Sequence, residues 1–473
     1  MRLFDTKVQH LKYKVLREVA KASLTDNLVN AYRDIPLDII KGPKPNYRCC
    51  IYKERAIISE RIKLAMGGDA SNDNIIEVID IACDECPVGG YEVSQSCRGC
   101  IAHRCKTVCP KNAISFDHNH RAVIDKEKCV ECGQCEKVCP YSAIVHYKRP
   151  CQKACSVDAI TMNENNAALI DYDKCIECGA CVYQCPFGAI SDKSEILDVV
   201  TALKDNPIHK RKIYAIVAPS ISSQFSYATL PQVVSGIKQM GFHDVVEAAL
   251  GADLAALLES KELSEKGFLT SSCCPSFVSY IEKHFPVMLP HVSHNLSPMA
   301  IVGAHIKKHD KDAFTVFIGP CTSKKKEAKK ANVKDSIDAV LTFEELQSLI
   351  DAYSIDLSTL SEHKLDNASY FGRIFARTGG LSDAMTQAFK EQAIDFDFNP
   401  IKCSGIKESK VALLKASRNK LEENFIEGMA CEGGCIGGPC CLTHGPKNLK
   451  QVDAYGKEAY EKTMKDAILP FEL

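Results

Sequence analysis

The chain has 473 residues, of which 45% are hydrophobic and 25% charged, a composition typical of a folded protein with about three domains. The formal net charge is −1, so neither nucleic acid nor an anionic membrane surface is an expected partner. No stretch approaches about 18 consecutive apolar residues, and the sequence starts without an apolar signal core, so we expect a cytoplasmic protein with no membrane span.

Cysteine is the residue type that stands out. The chain has 26 cysteines, and 16 of them lie between Cys83 and Cys185. Disulfide scaffolds are typical of small secreted domains, whereas clustered cysteines in a large chain favour metal binding. We therefore interpret this region as a set of metal centres.

Residues 1–80 are predicted to form a mainly helical segment. Apolar residues recur at helical spacing over 11–22 and again over 57–66. The adjacent Cys49 and Cys50 are poorly placed to bind one metal together, so we expect them to be packing thiols.

Residues 81–145 and 146–192 are predicted to be tandem α+β ferredoxin-like domains, which form an internal repeat. Their cysteines follow the C-x2-C-x2-C-x3-C-P spacing of bacterial 2[4Fe–4S] ferredoxins, or variants of it, and an Ala-Ile pair follows each run at the same distance. Structural zinc sites would have isolated C-x2-C pairs, so we favour [4Fe–4S] clusters. The full runs are 129–140 and 175–186, the variant run is 97–110 and the truncated run is 151–155.

In such repeats the cysteine before proline binds the cluster of the other half. This rule leaves Cys151 and Cys185 without a cluster, and an upstream pair, Cys83-Asp-Glu-Cys86, is also unassigned. We hypothesise that these four bind a fourth cluster; a separate zinc site or an unliganded pair is the alternative. The rule predicts three other ligand sets, which are Cys97, Cys100, Cys105 and Cys139; Cys109, Cys129, Cys132 and Cys135; and Cys155, Cys175, Cys178 and Cys181.

Residues 193–211 are predicted to be a linker helix, and residues 212–473 an α/β domain with parallel sheets flanked by helices. Parallel sheets place ligand sites at the carboxyl ends of their strands, and two cysteine-containing loops follow such strands. The predicted strands include 212–219, 244–249, 267–270 and 315–319, and the predicted helices include 230–240, 253–266 and 343–353.

Three loops of this domain carry a recognisable pattern. They read Thr270-Ser-Ser-Cys-Cys-Pro, Pro320-Cys-Thr-Ser-Lys-Lys-Lys-Glu and Glu427-Gly-Met-Ala-Cys-Glu-Gly-Gly-Cys-Ile-Gly-Gly. In this order they resemble the signature loops of the [FeFe]-hydrogenases. The resemblance implies an H-cluster, which is a [4Fe–4S] cubane joined to a two-iron unit carrying CO, CN⁻ and a bridging azadithiolate. The implied cubane ligands are Cys274, Cys321, Cys431 and Cys435, with Cys435 as the bridge to the two-iron unit.

The resemblance also implies catalytic side chains. Cys273 would pass protons to the bridging amine, and Lys324 would hold a cyanide ligand. Glu259 and Glu262 share one face of a predicted helix, where the ordinary interpretation is solvated surface acids. The family has two relay glutamates and a relay serine at these positions, so the implied proton route runs through Glu262, Ser293, Glu259, a water molecule and Cys273.

Several positions depart from the better-known members and resemble the group B branch of the family. Gly319 stands where those members have methionine, and Met299 where they have glutamine. The third loop continues as Pro439-Cys440-Cys441, and we expect both thiols to be packing residues. Besides the cubane ligands, the expected cofactor-binding residues are Pro298, Met299, Gly319 and Pro320.

The implied function is reversible oxidation of H2 and reduction of protons at the H-cluster, with three to four accessory [4Fe–4S] clusters relaying electrons. The implied partners are a ferredoxin-type electron carrier and the maturases that insert the two-iron unit. The alternative is a non-catalytic iron–sulfur sensor or assembly protein, although assembly relatives lack the cysteine at the Cys273 position. No flavin or nucleotide motif favours an electron-bifurcating subunit.

Overall fold

The N-terminal segment is helical in the computed structural model, which describes residues 3–87, 89–209 and 211–471. The first helix starts with a capping box, because the Thr6 hydroxyl accepts from the Gln9 N–H at 3.1 Å and the Gln9 side chain accepts from the Thr6 N–H at 3.2 Å. The helices of this segment are α1 (Lys7–Leu24), α2 (Leu28–Ile39) and α3 (Ile51–Ala65).

The expectation that Cys49 and Cys50 are packing thiols is wrong. Cys49 is exposed and Cys50 is only half-buried. Cys50 Sγ accepts a hydrogen bond from the Lys53 N–H at 3.4 Å and thereby caps the start of α3. Ile51, the first residue of α3, is only partly buried, and the fully buried apolar residues of the helix begin at Ile57, so the two thiols precede the fully buried part of the helix.

Residues 76–192 form small α+β units built from antiparallel strand pairs and single-turn helices. The strands are β1 (Ile76–Val78), β2 (Gly90–Val93), β3 (Ile114–Phe116), β4 (Ala122–Ile124), β5 (Ile144–Tyr147), β6 (Ile160–Met162), β7 (Ala168–Ile170) and β8 (Ile190–Asp192). The helices are α4 (Arg104–Thr107), α5 (Gln134–Lys137), α6 (Pro150–Ala154) and α7 (Ala180–Gln184). The antiparallel pairs are β1 with β8, β2 with β5, β3 with β4 and β6 with β7.

The predicted linker is a packed helix, α8 (Ile196–His209), rather than an exposed connection. Its residues Ile196, Val199 and Val200 are fully buried, and α8 packs against α1. The ferredoxin-like part is therefore joined to the C-terminal domain by a rigid element.

The C-terminal domain alternates strands and helices. The strands are β9 (Ile213–Val217), β10 (Asp244–Glu247), β11 (Leu269–Thr270), β12 (Phe314–Gly319), β13 (Ala339–Thr342), β14 (Pro400–Ser404) and β15 (Phe425–Met429). The helices are α9 (Leu230–Gln239), α10 (Ala248–Lys266), α11 (Pro275–His284), α12 (Pro298–His309), α13 (Ser323–Ala328), α14 (Phe343–Ala352), α15 (Tyr370–Arg373), α16 (Gly380–Gln392), α17 (Ile406–Ala416), α18 (Lys447–Lys457) and α19 (Met464–Ile468). Helix α10 begins at Ala248, earlier than predicted, because the alanine-rich stretch after β10 favours helix.

Two parallel sheets organise this domain. One has the strand order β10-β9-β12-β13, and the other has the order β11-β15-β14. The strands β11, β12 and β15 end at the three cysteine-containing loops. The α/β fold class predicted from the sequence is confirmed.

The N-terminal helices and the C-terminal domain share one hydrophobic core. Leu16 and Val19 of α1 belong to the same buried cluster as Leu346 of α14. A buried ion network reinforces this junction, since Lys12 Nζ lies 2.5 Å from Asp192 and 2.6 Å from Glu344. Among the residues that the structure describes, no helix is both long enough and apolar enough to cross a membrane.

Candidate active site and metal centres

A largely apolar cavity lies where the strands of the two parallel sheets end. Cys274 precedes α11, Cys321 follows β12, and Cys431 and Cys435 lie in the loop after β15. All four thiols line the cavity. The parallel topology thus brings together three loops that are far apart in the sequence.

The electrostatics of these four thiols fit a cationic cofactor. Burial raises the pKa of Cys274, and Cys321 raises it further. Burial also raises the pKa of Cys435 to about 12 and that of Cys431 well above its usual range, again with repulsion from the neighbouring thiols. Four thiolates that line one apolar cavity need a positive centre between them, and an iron–sulfur cubane provides one.

The walls of the cavity agree with three of the four other expected cofactor contacts. Pro298, Met299 and Pro320 line the cavity, whereas Gly319 does not. A Cβ atom at Gly319 would lie 2.7 Å from the ring of Phe317, which faces the cavity instead. Phe317 was not expected at the site, but it lies two residues earlier on the same strand, and this period-two spacing is the signal by which it could have been found. Further lining residues that were not among the expected contacts are Ala218, Ala248, Ala252, Phe375 and Met429, of which only Met429 lies in a signature loop.

Lys324 reaches the wall of the cavity from α13 and is buried. Its Nζ lies 2.9 Å from Ser297 Oγ and 3.3 Å from the Cys273 carbonyl oxygen. A carboxylate oxygen of Glu327 lies 2.6 Å from the same nitrogen. Burial opposes the charged form, but Glu327 outweighs it and the pKa of Lys324 is raised, so a fixed cation stands at the edge of the cavity.

Cys273 lines the same cavity next to the ligand candidate Cys274. Burial, and then the neighbouring Glu259 carboxyl, raise the pKa of Cys273 well above its usual range. The side chain is therefore a protonated thiol near neutral pH. A neutral S–H group at this place can donate a proton into the cavity.

Glu259 lies on α10 and is only 2% exposed. One carboxyl oxygen lies 3.3 Å from the Ser272 hydroxyl, and the other has no hydrogen-bond donor among the described residues. Burial raises the pKa of Glu259 to about 7, although the Ser293 and Ser272 hydroxyls oppose the shift. The surface position that helical spacing alone would favour is therefore wrong for Glu259, because this face of α10 turns inward.

Glu262 lies one turn further along α10 and nearer to solvent. Its carboxylate accepts from the Ser293 hydroxyl at 3.0 Å and pairs with Lys266 Nζ at 2.7 Å. Burial alone would raise its pKa, but the donors from Lys266 and His294 outweigh burial and lower it. The structure thus places Ser293 beside both glutamates, with an ionised Glu262 on the outer side.

Glu427 orients the third loop, a role that the sequence motif did not reveal. The side chain is fully buried on β15 and accepts from the Gly379 N–H at 2.6 Å. It also accepts from the Ser382 N–H at 2.9 Å and the Ser382 hydroxyl at 2.5 Å, at the N-terminus of α16. This carboxylate therefore ties the strand that leads to Cys431 and Cys435 onto a helix end.

Gly434 lies between these two cysteines and has a φ of +92°. A Cβ atom there would lie 2.7 Å from the Thr378 nitrogen and 2.9 Å from the Ala376 oxygen. Only glycine lets the loop pass this close to neighbouring backbone and still bring Cys435 to the cavity.

Two further cysteine-lined cavities lie in the first ferredoxin-like unit. Each contains cysteines from both halves of the repeat, as the crossed-ligand rule predicts. The first is lined by Cys97, Cys100, Cys105 and Cys139, and the second by Cys109, Cys129, Cys132 and Cys135.

The second ferredoxin-like unit brings together the other two predicted sets, which we call the third site (Cys155, Cys175, Cys178 and Cys181) and the fourth site (Cys83, Cys86, Cys151 and Cys185). Burial, followed by Cys175 and Cys155, raises the pKa of Cys178 to about 12. At the fourth site burial, followed by Cys185, Cys83 and Cys86, raises the pKa of Cys151 to about 11. In residues 3–87, 89–209 and 211–471, no three Cys, His, Asp or Glu side chains lie close enough together to hold one metal ion.

The sites form a series that leads to the active-site cavity. Cys178 of the third site also lines that cavity and interacts electrostatically with Cys274. Cys181 of the third site interacts in the same way with Cys151 of the fourth site. The fourth site therefore neighbours the third, and the third neighbours the cavity.

Cys440 and Cys441 lie outside the cavity wall. Both are fully buried, and burial raises the pKa of each well above its usual range. The Cys441 thiol points to the backbone carbonyl oxygens of Cys435 and Ile436, at 3.6 and 3.5 Å. Both thiols are therefore buried packing residues, as expected; Cys441 lies against the third loop, and Cys440 lies near Lys12 and Asp192.

The cysteine groups and the parallel sheets define an iron–sulfur protein with ferredoxin-like and α/β parts. Residues 211–439 match the family model described as the C-terminal domain of the iron-only hydrogenase large subunit. Residues 168–191 match a 4Fe-4S binding domain, and residues 96–143 match a 4Fe-4S dicluster domain.

Curated relatives define the family. Iron hydrogenase 1 of Clostridium pasteurianum is 30% identical over 410 residues, which cover 74% of this chain and 70% of the relative. The periplasmic [Fe] hydrogenase large subunit of Nitratidesulfovibrio vulgaris is 31% identical over 381 residues, which cover 68% and 86% of the two chains. The chain belongs to the iron-only, or [FeFe], hydrogenase family.

Other similarities extend this assignment. A solved [FeFe]-hydrogenase structure, from work on oxygen inactivation, superposes with a TM-score of 0.50 at 21% identity, covering 59% of this chain and 93% of that one, which shows a common fold. The cytosolic Fe-S cluster assembly factor NAR1 of Eremothecium gossypii is 34% identical over 144 residues, which cover 29% of this chain and 32% of the factor. The family thus includes proteins with different named roles.

Proposed function

We propose that this chain is a reversible [FeFe]-hydrogenase that oxidises H2 and reduces protons at an H-cluster. The observation that carries the proposal is one apolar cavity that collects four mutually repelling thiols and, beside them, the protonated thiol of Cys273. Iron–sulfur ligation alone does not require a buried proton donor next to the ligands. Strongly shifted pKa values in a cavity are typical of catalytic sites.

The ligand assignment follows from the donor set. Cys274, Cys321, Cys431 and Cys435, which line the cavity, would hold the cubane. The bridge from Cys435 to the two-iron unit is what the family resemblance implies. When bound, this cofactor supplies the heterolytic cleavage of H2. The chain contributes an apolar wall that excludes water from the cofactor, and Lys324 contributes a cation that would orient an anionic ligand such as cyanide.

The chain's own side chains would carry the proton. Glu262 exchanges a proton with solvent, the Ser293 hydroxyl relays it, Glu259 holds it near neutral pH, and Cys273 delivers it to the cavity. The pKa values support this route, because they rise from a lowered value at Glu262 through about 7 at Glu259 to a strongly raised value at Cys273. Each group is therefore protonated more readily than the one outside it, which favours inward transfer.

Electrons would travel through four accessory [4Fe–4S] clusters to a ferredoxin-type carrier. The neighbouring positions of the fourth site, the third site and the cavity support this route. Maturases would insert the two-iron unit. With five cubanes, the purified chain that lacks the two-iron unit should contain about twenty iron atoms, and about sixteen would contradict the fourth accessory cluster.

A non-catalytic assembly role is the second candidate, and the similarity to NAR1 favours it. Infrared spectroscopy of the maturated chain separates the two candidates. A hydrogenase shows the stretching bands of iron-bound CO and CN⁻, because only the two-iron unit carries these ligands. A spectrum without the bands, after maturation that loads a known [FeFe]-hydrogenase in parallel, would contradict the proposed function.

A further inference from the structure

We propose that Arg61 and Arg149 hold the cluster of the fourth site at a higher reduction potential than the cluster of the third site, so that the fourth site is where electrons released from H2 collect. This inference rests on the fourth accessory cluster that is part of the proposed function. It concerns two arginines that lie outside every hydrogenase and ferredoxin motif of the chain.

Arg149 lies directly before α6 and is only 3% exposed. Its guanidinium donates to the carbonyl oxygens of Asn166 at 2.6 Å and Pro87 at 3.0 Å. One of its nitrogens lies 4.0 Å from Cys83 Sγ, and another lies 3.4 Å from the Cys86 carbonyl oxygen. Backbone acceptors thus fix the cation against the pair of cysteines that completes the fourth site.

Arg61 approaches the fourth site from α3 and is 5% exposed. It donates to the Gly188 carbonyl oxygen at 2.7 Å and interacts with Cys185, while its Nε has no acceptor among the described residues. Burial lowers its pKa to about 10, which still leaves a cation at neutral pH.

Gly188 provides further support for a specific contact between Arg61 and the fourth site. The corresponding positions of the other three half-modules are Asn112, Ser142 and Asp158, and all four have a positive φ between 47° and 58°. A Cβ atom at Gly188 would lie 2.5 Å from an Arg61 nitrogen. The half-module that carries glycine is therefore the one into which a guanidinium packs.

Neither arginine has a carboxylate partner among the residues that the structure describes. Within the described part of the chain, no Asp or Glu oxygen lies within 4.0 Å of either guanidinium, whereas the nearby Arg48 pairs with Asp84 at 3.3 Å. A buried cation without a counter-charge is strongly unfavourable. The anionic thiolate ligands and the cluster they would bind supply that counter-charge.

The third site has the opposite environment. Glu177 lies between Cys175 and Cys178 and is 6% exposed. One of its carboxyl oxygens accepts weakly from the Ile75 N–H at 3.3 Å, and the other has no donor in the described residues. Lys326 and Lys283 lie in its wider surroundings, but neither forms an ion pair with it within 4.0 Å in the described structure. The fourth site also has carboxylates between its first two cysteines, but Asp84 and Glu85 pair with Arg48 at 3.3 and 3.5 Å. The unpaired buried charge is thus a carboxylate beside the third cluster and a pair of guanidinium groups beside the fourth.

The two environments shift reduction in opposite directions. Adding one electron to a [4Fe–4S] cluster adds one negative charge, which a guanidinium stabilises and a carboxylate destabilises. Oxidation of one H2 releases two protons and two electrons, and each cluster accepts one electron at a time. An electron that reaches the third site therefore moves downhill to the fourth, and proton reduction has to draw it back uphill.

The test is a potentiometric titration of the full chain, with its clusters but without the two-iron unit, followed by electron paramagnetic resonance. The signal lost in Cys86→Ala belongs to the fourth site, and the signal lost in Cys178→Ala belongs to the third. We expect the fourth-site signal to have the higher midpoint potential in the unaltered chain. The reverse order would overturn the inference without any arginine variant.

The arginine variants test the cause. Arg61→Gln and Arg149→Gln should each lower the equilibrium constant for reduction of the fourth cluster about tenfold, which is about 59 mV for one electron. Arg61→Lys should retain much of the potential. Arg55→Gln is the matched control, because Arg55 lies on the same helix but donates to the carbonyl oxygens of Ile40 and Lys41.

Glu177→Gln provides an independent variant with the opposite sign, since it should raise the potential of the third cluster. Unchanged potentials in chains with about twenty iron atoms would overturn the inference and leave the fourth cluster in place. About sixteen iron atoms in the unaltered chain would instead contradict the fourth cluster itself, which is a failure of the proposed function at that site.

Discussion

Two approaches lead to the cavity, and they are built differently. On one side the third site places Cys178 directly in the cavity wall. On the other side Glu262, Ser293 and Glu259 lead inward along α10. The first approach consists of buried thiols that repel one another as anions, whereas the second consists of groups whose pKa values rise step by step toward the cavity.

This difference indicates a division of labour. An electron needs closely spaced redox centres and no continuous hydrogen bonding, so clusters bound by cysteines on tight loops suffice. A proton needs donors and acceptors within hydrogen-bond reach and with matched pKa values. Changes on the two sides should therefore be separable, and the predictions below exploit this.

The largest expected effect is on the proton side. Cys273→Ala should lower H2 evolution by about 10²–10⁴-fold, because it removes the protonated thiol that faces the cavity. Hydrogen evolution with reduced viologen measures the loss, and the infrared bands of CO and CN⁻ check that the cofactor is still present. Cys403→Ala is the control, since Cys403 is a buried thiol that lies outside the cavity wall. A Cys273→Ala chain that keeps near-normal turnover would refute the relay.

The next effect is on the electron side. Cys178→Ala should remove most of the H2 evolution that a reduced ferredoxin-type carrier drives, because the third site is the neighbour of the cavity. Cys132 is exposed and lies in the first ferredoxin-like unit, so Cys132→Ala should leave the rate with a small viologen near that of the unaltered chain. Equal losses in both variants with both reductants would contradict this order of the clusters.

A smaller effect should distinguish the two full cysteine runs. Gly133 and Gly179 occupy the same position of the repeat, with φ values of +74° and +75°. A Cβ atom would meet only the end of the Tyr91 side chain at Gly133, but the ring of Pro439 and the hydroxyl of Thr322 at Gly179.

Gly133→Ala should therefore lower the free energy of unfolding by about 1 kcal/mol, mainly through backbone strain, because the end of the Tyr91 side chain can move aside. Gly179→Ala should lower it by a further ~2 kcal/mol, because it also forces the ferredoxin-like unit away from the third loop. Urea unfolding followed by cluster absorbance measures both values. Equal losses would mean that this contact between the two parts contributes little.

The smallest effect is spectroscopic. Because burial raises the pKa of Glu259 to about 7, its carboxyl group stays protonated below that pH and ionises above it. Difference infrared spectroscopy should detect a carboxylic acid band that disappears on passing pH 7 and is absent in Glu259→Gln. Asp253, with a pKa raised by burial to about 8, should give a second band that survives the substitution. A Glu259 band that titrates near pH 4 would contradict the buried position.

The electron side was more predictable from the sequence than the proton side, for a physical reason. Cubane ligands follow one another on tight loops, so spacing alone placed Cys175, Cys178 and Cys181 in one set. The proton route joins Glu262 to Ser293 across 31 residues, and helical spacing alone favoured exposed acids. That route came from the family resemblance and stays a prediction until turnover is measured.

Side chains that act through tertiary contacts were not predictable. Glu427 was part of a motif, but its hold on the N-terminus of α16 depends on a contact across 45 residues. Gly319 was expected to face the cofactor, and the ring of Phe317 stands there instead. The exposure of Cys49 was missed because the fully buried apolar residues of α3 start later than the helix itself.

The central claim is that the cavity holds an H-cluster that turns over H2. The most direct test is an H2-evolution assay on the full chain, maturated anaerobically and supplied with reduced viologen or ferredoxin, with the Cys273→Ala chain measured in parallel. We predict sustained H2 evolution from the unaltered chain and almost none from the variant. No H2 above that of the chain without maturation, although the CO and CN⁻ bands are present, would contradict the claim.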